Sequence, residues 1–258
     1  MSGCGEAAVR SSGGYLGSVT LPTVPSAVLL DAGGVFVLPD PSRVLGAFAR
    51  AECDVDPSVL TAAHYRAAAR FTTDIDVETG WAEAWLGYLQ TYIEACDVDH
   101  AQRNEAHRHI DSEFADAALW VQPIDGAKDG LQALADAGVR LGIVSNADGM
   151  MAERLAGFEI CQVGLGMGVP IEFVVDSGNV GVMKPDPRIF HAALDLLGLD
   201  AEATWYVGDM PAIDVVGARR AGLRPFLMDP LGLHHDADYD RTTSLASLAA
   251  SISSAASR

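Results

Sequence analysis

One stretch sets the architecture of this chain: Ala27-Val28-Leu29-Leu30-Asp31-Ala32-Gly33-Gly34-Val35. Its four leading apolar residues predict a short strand, and Asp31 follows at the carboxyl end of that strand. The glycines Gly33 and Gly34 predict a turn in which the backbone can close around an anion or a metal. Taken alone, Asp31 could be an aspartate that caps its own turn, so its interpretation depends on the rest of the chain.

The rest of the chain divides into two parts that differ in their hydrophobic pattern. Residues 40–123 have the apolar spacing of helices almost throughout. From about residue 124, helices alternate with short β-rich runs at 139–144, 204–207 and 224–228. This alternation predicts a parallel, doubly wound sheet. Because the strand at 27–30 is separated from the series by the helical block, we predict an α/β fold: a Rossmann-like core with an inserted α-helical cap.

The predicted domain boundaries follow from these patterns and from local composition. The leader is rich in Gly and Ser and is expected to be mobile, whereas the Ser/Ala-rich tail is expected to form one short helix, at about 244–248, before it frays. The predicted units are a leader at 1–25, a core at 26–39 and 124–242, a cap at 40–123 and a tail at 243–258.

Polar residues recur where the other predicted strands end or helices begin. In an open α/β sheet, ligands bind outside the carboxyl ends of the strands. One polar residue in such a place is weak evidence, because loops are polar in general, but four fragments in order predict a site. The further residues are Ser145 with Asn146, Lys184, and Asp209 with Asp214.

In their order and settings, these fragments resemble the four motifs of the haloacid dehalogenase (HAD) superfamily, over roughly residues 27–230. The resemblance implies a hydrolase, in most members a phosphatase, with a cap between the first two motifs. Asp31 would be the nucleophile and would form an aspartyl-phosphate, which divides one difficult displacement into two easier ones. Lys184 would pair with Asp31 and with the phosphate. Ser145 and the backbone N–H of Asn146 would bind the phosphoryl oxygens.

The resemblance also implies a Mg²⁺ cofactor, which prefers oxygen ligands. Asp31, Asp209 and the backbone carbonyl of Gly33 would be its protein ligands. Asp214 would hold a metal-bound water, although it also fits an ordinary acidic residue in the first turn of a helix.

Gly33 departs from the family pattern, because most HAD phosphatases have a second aspartate, the general acid, at this position. A general acid typically contributes about 10²–10⁴-fold. Phosphoryl transfer depends mainly on positioning and electrostatics, so we expect weakened activity rather than none. Another acid from the cap, or a water, could protonate the leaving group. The alternative is a catalytically degenerate domain that acts as a ligand-binding or interaction module.

Other branches of the family fit less well. Two-haloacid dehalogenases need no metal and have Ser/Asn chemistry before the aspartate of motif four, whereas Gly208 precedes Asp209 here and Asp214 keeps the site acidic. Phosphonoacetaldehyde hydrolases need a cap lysine, and residues 32–127 contain none. Sugar phosphomutases need the second aspartate that Gly33 replaces. A phosphatase acting on a small phosphorylated metabolite is therefore favoured.

The composition of the chain limits the classes of partner that the protein is expected to bind. The net charge of −18 argues against nucleic acid, whose phosphates are bound by an excess of Lys and Arg. A small phosphorylated substrate remains possible, because a metal and one or two local cations can balance its charge. No apolar run approaches a membrane span. Four scattered cysteines and no secretory signal predict reduced thiols and a cytoplasmic location. Oligomeric state and natural substrate stay open.

Two groups of cap residues bear on the site. The first has helical spacing and is expected to pack in the cap core rather than to line a substrate pocket: Trp81, Trp85 and Tyr88. The second lies on the second cap helix and could face the cleft: His64, Arg66 and Arg70.

Overall fold

A computed structural model describes residues 24–257 of the chain. Its strands are β1 (Ala27–Leu30), β2 (Val37–Pro39), β3 (Trp120–Pro123), β4 (Arg140–Ser145), β5 (Cys161–Val163), β6 (Val169–Ile171), β7 (Val174–Asp176), β8 (Thr204–Gly208), β9 (Arg224–Met228) and β10 (Asp240–Thr242). Its helices are α1 (Pro41–Arg50), α2 (Leu60–Ala68), α3 (Val77–Ala95), α4 (Arg103–Phe114), α5 (Ala127–Asp136), α6 (Met151–Gly157), α7 (Ser177–Val180), α8 (Pro187–Leu197), α9 (Val216–Arg220) and α10 (Leu245–Ala256).

The central sheet has six parallel strands in the order β10-β9-β8-β1-β4-β7. In its middle, Leu30 of β1 lies opposite Ile143 of β4 and Val207 of β8. Parallel strands end at the same edge of a sheet. This register therefore brings together the residues at or just beyond the ends of the three strands: Asp31, Ser145 and Asp209.

Both faces of the sheet are buried, as in a doubly wound fold. Val28 and Leu30 point into the cluster that includes α5 and α10, whereas Ala27 and Leu29 point into the cluster under α8. All four side chains of β1 are fully buried. Burial on both faces explains why β1 is an uninterrupted apolar run. The parallel sheet with helices on both faces confirms the predicted Rossmann-like core.

The helical insertion is also confirmed. Helices α1–α4 lie between β2 and β3, which pair antiparallel with each other. Large side chains fill the inside of the cap, among them Phe48, Phe71 and Tyr88. Ala212 and Ile213, which follow β8, belong to the same apolar cluster, so the cap packs directly against the loop that carries Asp209.

The C-terminal helix is longer than the short, fraying helix expected from the sequence. Helix α10 runs to Ala256, and its first turn is capped by Ser244 Oγ, which accepts from the backbone N–H of Ser247 at 3.1 Å. Leu245, Leu248 and Ile252 are buried, and α10 packs on α5. The tail therefore contributes to the core.

The leader predicted at 1–25 lies almost wholly outside the described residues. Within residues 24–257, no helix has both the length and the apolar character that a bilayer crossing requires.

Candidate active site

Lys184 is the centre of a buried network at the carboxyl ends of the strands. Its Nζ lies 2.7 Å from Asp31 Oδ2, 2.8 Å from Asp214 Oδ1 and 2.9 Å from Tyr206 Oη. An ammonium group has three N–H donors, and three acceptors surround this one. Burial alone would lower the pKa of Lys184, but Asp214 and Asp31 outweigh it and raise the pKa. Lys184 is therefore a fixed positive charge beside Asp31.

Asp31 lies where this network meets the cleft. Its Oδ1 accepts a hydrogen bond from the backbone N–H of Ala32 at 2.7 Å, and its Oδ2 faces Lys184. Burial raises the pKa of Asp31 to about 7; Lys184 opposes this effect, and the nearby carboxylates Asp214 and Asp209 add to it. Additional positive charge beside Asp31 would favour its ionised, nucleophilic form.

Asp214 is more than the first-turn acidic residue that its sequence position allows. Its Oδ1 accepts from Lys184 and from the hydroxyl of Tyr206 at 2.9 Å, and its Oδ2 accepts from the backbone N–H of Met210 at 2.9 Å. The side chain lies on a π-helical turn that precedes α9. Asp214 thus fixes both Lys184 and the loop after Asp209.

Asp209 receives a hydrogen bond from the cap. His64 Nε2 lies 2.9 Å from Asp209 Oδ2, and His64 Nδ1 lies 2.9 Å from the hydroxyl of Tyr88. His64 and Asp209 are both buried. A carboxylate can only accept, so Nε2 carries the hydrogen of this bond. The bond connects α2 of the cap directly to the core.

The carboxylates form a donor set that fits Mg²⁺. Oxygens of Asp31, Asp209 and Asp214 lie within 4.8 Å of one another, and all three residues are buried. Buried charges must be paired or coordinate a metal, and this cluster contains three carboxylates but only one lysine, Lys184, which contacts Asp31 and Asp214. A divalent cation with a preference for oxygen ligands would balance the remaining negative charge.

Gly33 lies beside this cluster, beneath an aromatic ring. A Cβ at Gly33 would contact the six-membered ring of Trp120 at 3.4 Å, which is an ordinary packing distance. The backbone of Gly33 is outside the left-handed region, unlike that of Gly34, whose φ is 65°. A Cβ on Gly34 would overlap the Asp209 carboxyl group. Gly34 is thus required by geometry, whereas Gly33 has room for a side chain.

Ser145 and Asn146 are found at the predicted edge. Ser145 is buried at the end of β4 and lines the cleft together with Asn146. The Asn146 side chain also bonds to the backbone of Lys184 in both directions, accepting at 2.7 Å and donating at 3.0 Å. Asn146 therefore holds the Lys184 segment against β4, which the sequence did not indicate.

Several contributors to the site were not predicted, or only weakly. Tyr206, Trp120 and Tyr65 had no motif to mark them. The Tyr65 hydroxyl donates to the Gly34 carbonyl at 2.8 Å. Of the three polar residues expected to face the cleft, His64 on α2 reaches the site. Arg66 on α2 and Arg70, which lies just beyond the end of α2, are exposed and do not line the cleft. The sequence does contain one indication of the role of His64, because this polar residue lies among the apolar residues of α2.

The chain is similar to known proteins of one family. The family model for haloacid dehalogenase-like hydrolases matches residues 25–222. The human haloacid dehalogenase-like hydrolase domain-containing protein 3 is 32% identical over 181 residues, which cover 68% of this chain and 69% of the relative. The bovine relative of the same name is 31% identical, and the match covers 55% of its length. The chain thus spans about half to two thirds of these relatives.

Other similarities are shorter or more distant. A phosphoserine phosphatase from Thermus thermophilus is 46% identical over 67 residues, or 26% of this chain and 27% of that protein. A solved dehalogenase structure superposes with a TM-score of 0.52 at 20% identity, covering 88% of this chain and 97% of that one. The latter similarity supports the fold alone. With the family match over most of its length, the chain belongs to the haloacid dehalogenase-like hydrolase family.

Proposed function

We propose that the protein is a Mg²⁺-dependent phosphatase that acts on a small phosphorylated substrate through an aspartyl-phosphate on Asp31. The proposal rests above all on Lys184 Nζ, which contacts both Asp31 and Asp214, at 2.7 and 2.8 Å. This arrangement places an ammonium group beside a carboxylate that lines the cleft, where a phosphate would meet both. The similarity to the phosphoserine phosphatase of T. thermophilus supports the same reaction class.

In the first step, an oxygen of Asp31 attacks phosphorus as the bond to the leaving-group oxygen breaks. Lys184 offsets the repulsion between the carboxylate and the anionic substrate. Ser145 and the backbone N–H of Asn146 bind the phosphoryl oxygens. In the second step, water attacks phosphorus, and inorganic phosphate and the free Asp31 carboxylate are released.

Asp31, Asp209 and the carbonyl of Gly33 would hold Mg²⁺. When bound, it supplies positive charge that stabilises the transferring phosphoryl group. Asp214 already accepts hydrogen bonds from Lys184 and from the Met210 N–H. It would support the metal site through these two contacts.

The test is hydrolysis of p-nitrophenyl phosphate with and without Mg²⁺, because its leaving group needs little protonation. We expect turnover with Mg²⁺, none in EDTA, and none for Asp31→Asn with Mg²⁺. Asp236→Asn, at an exposed aspartate outside the cleft, is the matched control and should retain activity. Mg²⁺ binding without turnover of this substrate would indicate a degenerate binding domain. Metal-independent release of halide from a 2-haloacid would indicate a dehalogenase.

A further inference from the structure

The cleft above Asp31 is walled by aromatic and apolar side chains. It has a volume of about 370 Å³ and is lined at its base by Asp31, Ser145 and Lys184. The cap and the neighbouring loops supply the rest of the wall, which includes Trp81, Trp85, Phe114, Trp120, Met183 and Ile213. A phosphoryl group at the base would therefore leave its ester group among apolar side chains.

Part of this wall is a stack of flat rings. The rings of Trp85 and Tyr88 are 5.0 Å apart and 3° from parallel, and those of Trp81 and Trp85 are 5.8 Å apart and 8° from parallel. Tyr88 is buried in the cap core, as predicted, but Trp81 is 46% exposed and lines the cleft. The expectation that all three rings serve only the cap core was therefore wrong. An aromatic group in the cleft could pack against the exposed part of Trp81 and the edge of Trp85.

The charges of the cleft disfavour a second anionic group on the substrate. Among the described residues that line it, Lys184 is the only cation, and its donors are already engaged. The other charged groups are Asp31, Asp209 and Asp214. A carboxylate on the ester group would be desolvated near these residues without a counter-ion.

The leaving group must also depart without help from residue 33. The titratable side chains among the described lining residues are the three aspartates and Lys184, each of which has another role in the proposed mechanism. A phenol, with a pKa near that of tyrosine at about 10, leaves more readily as an anion than an alkyl alcohol does.

We propose that the cleft selects phosphate monoesters of uncharged aromatic alcohols, with the phosphoryl group on Asp31 and the ring against Trp81 and Trp85. This inference rests on the proposed phosphatase function. In the reaction, the bond from Asp31 to phosphorus forms, the bond from phosphorus to the aryl oxygen breaks, and the phenolate leaves with the electron pair. The phenolate takes a proton from solvent, and water then releases phosphate from Asp31.

Three substrates test the inference on the full chain with Mg²⁺: phenyl phosphate, 4-carboxyphenyl phosphate and acetyl phosphate. The first two share a ring and differ by one carboxylate, while acetyl phosphate has an activated leaving group without a ring. We expect kcat/KM for phenyl phosphate to exceed that for 4-carboxyphenyl phosphate by at least about tenfold. The para carboxylate does not make the phenol a poorer leaving group, so such a preference would report on the cleft.

Trp81→Ala should raise KM for phenyl phosphate by roughly two- to tenfold, and by more than it raises KM for acetyl phosphate. Trp81→Phe should recover most of the difference. Leu86→Ala, at another exposed position of α3 outside the cleft, is the control and should show no such selectivity. Because Trp81 is half exposed, we expect its variants to fold, and their melting temperatures check this.

The two proposals can fail separately. If acetyl phosphate is hydrolysed, but 4-carboxyphenyl phosphate is as good a substrate as phenyl phosphate, or Trp81→Ala affects both substrates equally, the substrate class is wrong and the phosphatase function stands. If none of the three compounds is hydrolysed, both proposals are overturned.

Discussion

His64 Nε2 lies 2.9 Å from Asp209 Oδ2, so a cap histidine bonds directly to a carboxylate of the candidate metal site. Both residues are buried, and His64 also contacts the Tyr88 hydroxyl. Removal of one partner of a buried bond leaves the other unsatisfied. The cap and the core are therefore coupled in stability at this point.

The first prediction concerns this bond. His64→Phe keeps a ring but removes the N–H donor, and it should lower the free energy of unfolding by about 1–3 kcal/mol in the absence of metal. Urea denaturation measures this. His107→Phe on α4 is the control, because Nε2 of His107 is buried without a hydrogen-bond partner in the described part of the chain. Equal effects of the two substitutions would mean that the bond to Asp209 contributes nothing to stability.

The second prediction concerns Mg²⁺ binding. Asp209→Ala removes one of the two side-chain ligands proposed for the metal and should weaken Mg²⁺ affinity at least about tenfold. Isothermal titration calorimetry measures the affinity directly, without reference to turnover. Asp236→Ala changes the net charge equally at an exposed position and should bind Mg²⁺ as the wild type does. If Asp209→Ala and the wild type bind equally well, the metal site is elsewhere.

The third prediction uses the raised pKa of Asp31. The ordinary aspartate pKa is 3.8, and the folded pKa is about 7. The folded state therefore binds the proton more tightly than the unfolded state. The stability due to protonated Asp31 is fully present below the unfolded pKa and is lost as the pH rises through about 7.

Asp31→Asn, which cannot ionise, should thus raise the melting temperature in EDTA, and by more at pH 8 than at pH 5. Addition of Mg²⁺ at pH 8 should stabilise the wild type more than the variant. Thermal unfolding at the two pH values checks both statements. A variant less stable than the wild type at pH 8 in EDTA would contradict the prediction.

The fourth prediction concerns the missing acid. Gly33→Asp should raise hydrolysis of alkyl phosphates relative to aryl phosphates, by as much as the general-acid factor of about 10²–10⁴. The backbone at Gly33 permits a side chain, and the nearest obstacle is the Trp120 ring at 3.4 Å. Initial rates on phenyl and ethyl phosphate give the ratio for the wild type and the variant.

Gly34→Ala is the companion variant. Its Cβ would overlap the Asp209 carboxyl group at a backbone φ of 65°, so it should lose activity on both substrates. Similar rates of the wild type on ethyl and phenyl phosphate would show that an acid is supplied from outside residue 33.

The sheet could be predicted because its strands carry their own signal. Strands β1, β4, β8 and β9 are apolar runs between turns or helices, and their observed bounds differ from the predicted ones by at most one residue. The strand-end residues Asp31 and Asp209 converge because parallel strands align their carboxyl ends. Two strands of the sheet could not be predicted. β7 and β10 have three residues each, which is too few to show the alternating hydrophobic pattern of a strand.

The contacts between cap and core could not be predicted in the same way. His64 meets Asp209 only once α2 has docked on the loop after β8. Trp120, the first residue of β3, covers Gly33 only once β3 has paired with β2. No local spacing encodes that arrangement. The aromatic stripe of α3 illustrates the limit, because helical spacing indicates a shared face but not where the packed core ends and the open cleft begins. Trp81 lies on the cleft side of that border.

Trapping the phosphorylated enzyme tests directly whether Asp31 is the nucleophile. The protein is mixed with p-nitrophenyl phosphate and Mg²⁺, quenched in acid during turnover, digested, and the peptides are analysed by mass spectrometry. We expect a phosphoryl group on Asp31 in the wild type, and its absence, together with loss of turnover, in Asp31→Asn. Turnover that persists in Asp31→Asn, or a phosphoryl group trapped on another residue, would contradict this expectation.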